Sequence, residues 1–131
     1  MVHHNLAPIL IEAGELDPAE RMLQHVHERF VTRLGPEDYE VAVALTNLGV
    51  LAARHGDRPA ALARLGEAIR IKTDRLGPEH PELIRTLINA AVVAEEAGEA
   101  ERAGQAWARA RGIAERTLPA EHELRRTLRE W

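Results

Sequence analysis

Three segments of the chain repeat at a constant spacing of 42 residues, at 34–38, 76–80 and 118–122, where the sequence reads LGPED, LGPEH and LPAEH. Four further columns keep the same register: Asn5, Asn47 and Asn89; Gly14, Gly56 and Gly98; Ala19, Ala61 and Ala103; and Leu23, Leu65 and Trp107. A period of this length is typical of repeat proteins, in which each unit packs against its neighbours. The repeat therefore favours a binding function over catalysis.

The spacing of apolar residues predicts two helices in each unit. Residues 39–54 have apolar side chains at helical spacing; Asp38 before them is a suitable N-cap, and Gly56 stands where a left-handed residue ends a helix. A second helix is predicted over residues 58–73, and Pro78 then disfavours helix at the residue before it. Each unit is thus helix A, a tight turn, helix B and a longer turn.

The same pattern predicts one domain over residues 1–131, with unit 1 at about 4–34, unit 2 at about 37–76, unit 3 at about 79–118 and a C-terminal capping helix at about 121–131. In unit 1 we expect helix A at about 6–13 and helix B from residue 17; in unit 3 the helices are expected at 81–97 and about 100–116. His80, in the longer turn, is predicted to cap the helix that begins at Pro81.

The last segment is amphipathic. Leu124, Leu128 and Trp131 fall on one side of the predicted helix, and its arginines lie elsewhere. A terminal repeat needs such a helix to close the stack.

The composition argues against several classes of function. A net charge of −4 and a pI near 6.0 argue against nucleic-acid binding, which usually shows a basic footprint. No apolar run approaches the roughly 20 residues of a membrane span, and the absence of cysteine fits a cytoplasmic protein. His25 and His27 diverge on a helix, so we expect no metal site. Because no phosphate-binding loop and no nucleophile–base pair is present, we expect no cofactor and no enzymatic activity.

A family resemblance rests on residues in all parts of the unit: Thr46, Asn47, Leu48 and Gly49 in helix A; Gly56 at the tight turn; Ala61, Leu65 and Ala68 in helix B; and residues 76–81 between units. This pattern resembles the tetratricopeptide repeat, in the 42-residue form seen in kinesin light chains. Small residues at Gly49 and Ala61 would let helices A and B approach closely, while Leu48 and Leu65 would fill the space between units. The resemblance covers about residue 5 to the C-terminus. It implies an all-α fold, a right-handed superhelical stack of about three helix hairpins plus the capping helix.

The resemblance also implies a non-catalytic protein–protein interaction module, in which the helices A line a concave groove that binds a peptide or helix. Transferred by register, the groove residues are Asn5, Val43, Thr46, Asn47, Val50, Arg85, Ile88, Asn89 and Val92. The carboxamides of the asparagine column offer a donor and an acceptor to a peptide backbone. Alternatively, each asparagine bonds a neighbouring helix and fixes the packing of repeats.

The basic clamp with which some family members hold chaperone C-termini is not expected. Its lysines and asparagines would stand at positions that here carry His4, Thr46, Ile88, Pro8, Val50 and Val92.

A further column, Glu12, Arg54 and Glu96, alternates in sign and is interpreted as structural, with Arg54 between two carboxylates. In an alternative reading, Glu95, Glu96 and Glu99 make that end of the groove acidic.

The first helix crowds apolar residues on several sides, namely Leu6, Ile9, Leu10 and Ile11. Such a patch usually marks an interface. It favours a homodimer through the N-terminal repeat, a self-assembling scaffold. The alternatives are that the chain is a fragment of a larger tetratricopeptide regulatory protein, or that residues 1–5 fold back over the patch.

Overall fold

The computed structural model describes residues 16–129 of the chain. The predicted helix at 6–13, the groove residue Asn5, the self-interface residues Leu6, Ile9, Leu10 and Ile11, and Trp131 lie outside this range. Six helices follow one another within it: α1 (Leu16–Leu34), α2 (Tyr39–Arg54), α3 (Arg58–Leu76), α4 (Leu83–Glu96), α5 (Ala100–Thr117) and α6 (Glu123–Arg129). Residues 16–129 contain no strand, so the described chain is all-α as predicted.

The helices form a right-handed superhelical stack of the kind predicted. Each helix packs against the next along the chain, and α2 also contacts α4. In the repeat register α2, α4 and α6 are helices A, while α1, α3 and α5 are helices B. The contact between α2 and α4 therefore lines up two helices A side by side, which is the arrangement that builds a shared surface.

Local hydrogen bonds set most helix ends where the sequence predicts them. The Asp38 carboxylate accepts from the Glu40 amide at 2.9 Å, and Gly56 has a φ of 82° after α2. The His80 Nδ1 accepts from the Glu82 amide at 3.1 Å, in the turn just before α4, which begins at Leu83 rather than at Pro81 as predicted. His122 repeats this bond one unit later, with the Leu124 amide at 3.1 Å.

Helix α3 is three residues longer than predicted, ending at Leu76 rather than near residue 73. Pro78 disfavours helix only at the residue before it, which is Gly77. Gly77 takes a φ of 98°, and its amide donates to the Thr73 carbonyl at 2.9 Å, so the last turn is satisfied.

Small residues bring the two helices of unit 2 together. A Cβ placed on Gly49 would lie 2.7 Å from Leu65 Cγ and 3.3 Å from the Ala61 carbonyl oxygen. Leu65 and Ala61 are completely buried. Leu65 belongs to the core shared with α4 and α5, whereas Leu48 packs with residues of α1, as predicted for groups that fill the space between units.

Helix α6 covers α5 with one apolar side. Leu128 is buried in the core that α3, α4 and α5 share. In register, however, Arg125 and Arg126 stand where α4 has the completely buried Leu83 and Ile84. These positions of α6 are therefore polar where the corresponding positions of α4 are apolar.

Candidate functional site

Two cavities open on the surface made by the helices A. The first has a volume of about 520 Å³. It is lined by residues of α2, α3, α4 and α6 and of the turns before α4 and α6, namely Thr46, Lys72, Pro81, Glu82, Arg85, Thr86, Asn89, Leu118, His122 and Leu124. The second has a volume of about 470 Å³ and is lined by Val50, Ala53 and Arg54 of α2, Leu65 of α3, and Asn89, Val92, Val93 and Glu96 of α4. Asn89 lines both cavities. We call the two together the helix-A groove.

Most of the predicted groove residues within the described range line these cavities, namely Thr46, Val50, Arg85, Asn89 and Val92. The other three, Val43, Asn47 and Ile88, line neither cavity. Ile88 packs partly buried against the core, and Val43 and Asn47 are half-buried.

The carboxamides of Asn47 and Asn89 have no hydrogen-bond partner among residues 16–129. The neighbouring Thr46 differs, because its hydroxyl donates to the Ala42 carbonyl at 2.9 Å within the same helix. Over the described part of the chain, these two asparagines do not join repeats through side-chain hydrogen bonds. Within that range, the donors and acceptors of both carboxamides are not engaged.

Lys72 lines the first cavity, and it is the one lysine among the 17 lysine and arginine residues of the chain. Its side chain is only 7% exposed, and its Nζ donates to the buried Thr86 hydroxyl at 3.0 Å. Within residues 16–129 it forms no ion pair. Burial lowers the pKa of Lys72, and the negative charge of Glu82 partly opposes that shift.

The sequence analysis missed Lys72, although a signal was present. It follows Ile71 in the otherwise apolar phase of α3, in a chain that elsewhere uses arginine for every basic side chain. Sequence spacing alone did not indicate that a helix B residue reaches the surface of the helices A.

The rim of the first cavity is charged. Arg85 is exposed and has no hydrogen bond or ion pair with any residue that the structure describes. Glu82 accepts a hydrogen bond from the Tyr39 hydroxyl, which links α2 to the start of α4. Burial, and then this hydrogen bond, raises the pKa of Tyr39 to about 12. Among the described residues that line it, the cavity thus combines two cationic side chains with one carboxylate, which accepts a hydrogen bond from Tyr39.

The second cavity is largely apolar. Val50, Val92 and Val93 line it, and Val92 is 36% exposed. Arg54 and Glu96 also line it, but Glu96 forms no ion pair with another of the described residues. The prediction that Arg54 pairs with Glu96 is therefore wrong; its other predicted partner, Glu12, lies outside the described residues.

The other carboxylates near this end of the groove turn away from it. Glu95 accepts from the Trp107 indole at 2.5 Å, and Glu99 lies 3.8 Å from Arg102. Of the three glutamates that were considered as an acidic groove end, only Glu96 lines the cavity.

Neither a metal site nor a membrane span is present in the described part of the chain. Residues 16–129 hold no group of three histidine, aspartate or glutamate side chains placed to bind one ion. No helix in the same range is both long enough and apolar enough to cross a bilayer.

Comparisons with known proteins agree with this fold. The tetratricopeptide repeat family model matches residues 1–74, which is more than half of the chain. No curated protein matches the chain.

Two solved structures show the same fold. One is a protein of Podosopora anserina described as a kinesin light chain with nearly identical TPR-like repeats. Its TM-score is 0.87 and its sequence identity 21%, and the match covers 97% of this chain and 60% of that chain. The other is BtubC (BKLC) from P. vanneervenii, with a TM-score of 0.80 at 29% identity, over 88% of this chain and 46% of that one. The chain thus spans about half the length of these relatives.

Proposed function

The chain belongs to the tetratricopeptide repeat family, whose repeats are generally protein–protein interaction modules and typically non-catalytic, and from that premise we propose that it binds a peptide or helix of a protein partner in the helix-A groove. The observation that carries the proposal is Asn89. Its carboxamide has no partner within residues 16–129, and it stands where the two cavities meet.

The groove offers complementary groups to an extended peptide. The carboxamide of Asn89 can donate to a peptide carbonyl and accept from a peptide amide, as an added backbone would. The second cavity offers the apolar surface of Val50 and Val92 to a side chain beside that bond. Because the groove spans few repeats, we expect micromolar affinity, or about −8 kcal/mol.

A selected peptide tests this proposal. Peptides displayed as a random library are selected on the wild-type protein, and the affinity of the best binder is measured by fluorescence anisotropy. Asn89→Ala should weaken binding by about tenfold, because one charge-neutral pair of hydrogen bonds is lost. Gln105→Ala, on the exposed surface of α5, is the matched control and should change nothing. Equal affinities for wild type and Asn89→Ala, or selection of no peptide at all, would contradict the proposal.

Self-association through the N-terminal repeat is the second candidate function. It is favoured by the apolar crowding of Leu6, Ile9, Leu10 and Ile11 in the sequence. Light scattering across a concentration series tests it, because a monomer has a mass of 14.6 kDa. Twice that mass, reduced to the monomer value by Leu10→Glu, would support assembly. A mass of 14.6 kDa at every concentration would exclude it.

A further inference from the structure

The first cavity holds the single lysine of the chain as a buried amine. Lys72 is 7% exposed, and its Nζ donates to the Thr86 hydroxyl at 3.0 Å. An ammonium group has three N–H donors, and Lys72 has no other acceptor and no ion pair among residues 16–129. A buried charge is costly unless it is paired and hydrogen-bonded. These surroundings therefore favour a neutral form of the side chain.

The neutral form of a lysine side chain is a nucleophile. Burial lowers the pKa of Lys72, and the negative charge of Glu82 partly opposes that shift. Arg85 adds a second positive charge to the cavity lining, and the Nδ1 of His122 accepts from the Leu124 amide. A lysine amine that has lost its hydration is activated for attack on a carbonyl carbon.

A neutral amide suits this site better than the charged amine does. Acylation of the Lys72 Nζ removes the charge and leaves one N–H donor, for which the Thr86 hydroxyl is already the acceptor. The cavity of about 520 Å³ has room for a small acyl group, since one water takes about 30 Å³ of the liquid. Asn89 lines the same cavity, and its unengaged carboxamide can donate to the acyl oxygen.

The rim of the cavity favours an acyl donor with an anionic leaving group. Arg85 is exposed and makes no ion pair with any residue in the described range. Its guanidinium can pair with the phosphate of an acyl phosphate while the acyl carbon faces the Lys72 amine. Leu118 and Leu124, which also line the cavity, offer apolar surface to the acyl chain.

We propose that Lys72 is a site of covalent acylation, at which a small acyl phosphate transfers its acyl group to Nζ. The amine nitrogen attacks the acyl carbon, and a C–N bond forms. The bond between the acyl carbon and the phosphate oxygen breaks, phosphate leaves with the bonding electron pair, and water takes the proton that the amine loses. The inference goes beyond the proposed function, because the reaction needs no peptide.

Acetyl phosphate is the probe, and a lysine introduced on the surface is the matched control. Gln105→Lys places a second lysine at an exposed position of α5, so that both side chains compete within one molecule. After brief treatment at neutral pH, peptide mass spectrometry measures acetylation at the two positions. We expect Lys72 to react about tenfold faster, because its amine has lost its hydration. Equal rates, or slower reaction of Lys72, would overturn the proposal, since burial would then protect the amine.

A variant of the second cation tests the class of donor. Arg85→Ala should slow acetylation of Lys72 by acetyl phosphate about tenfold, because a charge-assisted contact with the leaving group is lost. Acetylation by a neutral acetyl thioester should be unaffected in the same variant. Arg21→Ala removes an exposed arginine of α1 and should leave both rates unchanged. Equal slowing with both donors, or with neither, would overturn the assignment of an acyl phosphate.

Thermal unfolding tests whether the cavity accommodates the product. The unfolding midpoint of protein acetylated at Lys72 should rise above that of untreated protein, because an unpaired buried charge is removed. Lys72→Met treated in the same way carries acetylation elsewhere only, and its midpoint should not change. A lower midpoint for acetylated wild type would show that the acyl group disrupts the fold, and it would overturn the proposed site.

Discussion

At the scale of single residues, the distance between α2 and α3 depends on the absence of a side chain at Gly49. An added Cβ would meet Leu65 Cγ at 2.7 Å, and Leu65 is enclosed by the core shared with α4 and α5. We therefore predict that Gly49→Ala destabilises the protein by about 1–3 kcal/mol, as overpacking does. The free energy of unfolding, measured by chemical denaturation, checks this.

Gly104 is the matched control. It also lies inside a helix, but a Cβ there would meet nothing within 4 Å. Gly104→Ala should stabilise the protein by about 0.5–1 kcal/mol, because glycine loses more conformational entropy than alanine when it enters a helix interior. A destabilisation of the same size in both variants would show that packing against Leu65 is not the cause.

Tyr39 is the single tyrosine of the chain, so its titration can be followed by tyrosinate absorbance. Burial, and then the hydrogen bond to Glu82, raises its pKa to about 12, whereas an unfolded tyrosine titrates near about 10. The folded chain thus holds the phenolic proton more tightly. Its contribution to stability is present below about pH 10 and is lost as the pH rises through the folded pKa of about 12.

Glu82→Gln should move this midpoint down towards the unfolded value, because the carboxylate that opposes ionisation is gone. A midpoint near the unfolded value in wild type, or no change in Glu82→Gln, would show that the contact between α2 and α4 does not form in solution.

At the scale of elements, the cap of α2 is set by one side chain. The Asp38 carboxylate accepts from the Glu40 amide at 2.9 Å, and the backbone at Asp38 is extended. Asp38→Ala should destabilise the protein by about 1 kcal/mol, because a helix amide loses its acceptor. Asp38→Asn keeps an acceptor and should lower the free energy of unfolding by only about a few tenths of a kcal/mol. Denaturation of both variants tests this, and equal losses would indicate that the charge matters rather than the hydrogen bond.

The helices were largely predictable because their signals are local. Apolar spacing over residues 39–54, a carboxylate N-cap and a glycine at the turn are all read within one helix, and α2 begins and ends where they predict. The end of α3 was predicted three residues too early, since the position of Pro78 does not indicate how far a helix continues before the excluded residue.

At the scale of the whole molecule, the stack has a well-connected middle and a lightly held end. Helices α3 and α4 each pack against neighbours on both sides, whereas α6 contacts only α5 within the described range. We therefore predict that backbone amides of α3 and α4 exchange hydrogen slowest and that those of α6 exchange fastest. Hydrogen exchange followed by mass spectrometry measures this order.

Two core variants sharpen that prediction. Leu128→Ala should raise exchange in α6 and leave α2 unchanged, because Leu128 anchors only the last helix. Leu65→Ala lies where two units meet; it should cost about 2–5 kcal/mol and raise exchange throughout residues 16–129. A uniform increase in both variants would mean that the repeats unfold as one unit.

The sequence by itself determined the repeat, its two helices per unit and the family, because the 42-residue register and the helical spacing of apolar residues can be recognised without knowing any tertiary contact. Only the tertiary structure decided which groove positions share a cavity. It placed Asn89 between two cavities, packed Ile88 against the core, and brought Lys72 from α3 beneath α4. The physical reason is that the repeat register determines which face of a helix a residue occupies. How deeply its side chain is buried, and which side chains it contacts, depend on how the neighbouring helices pack.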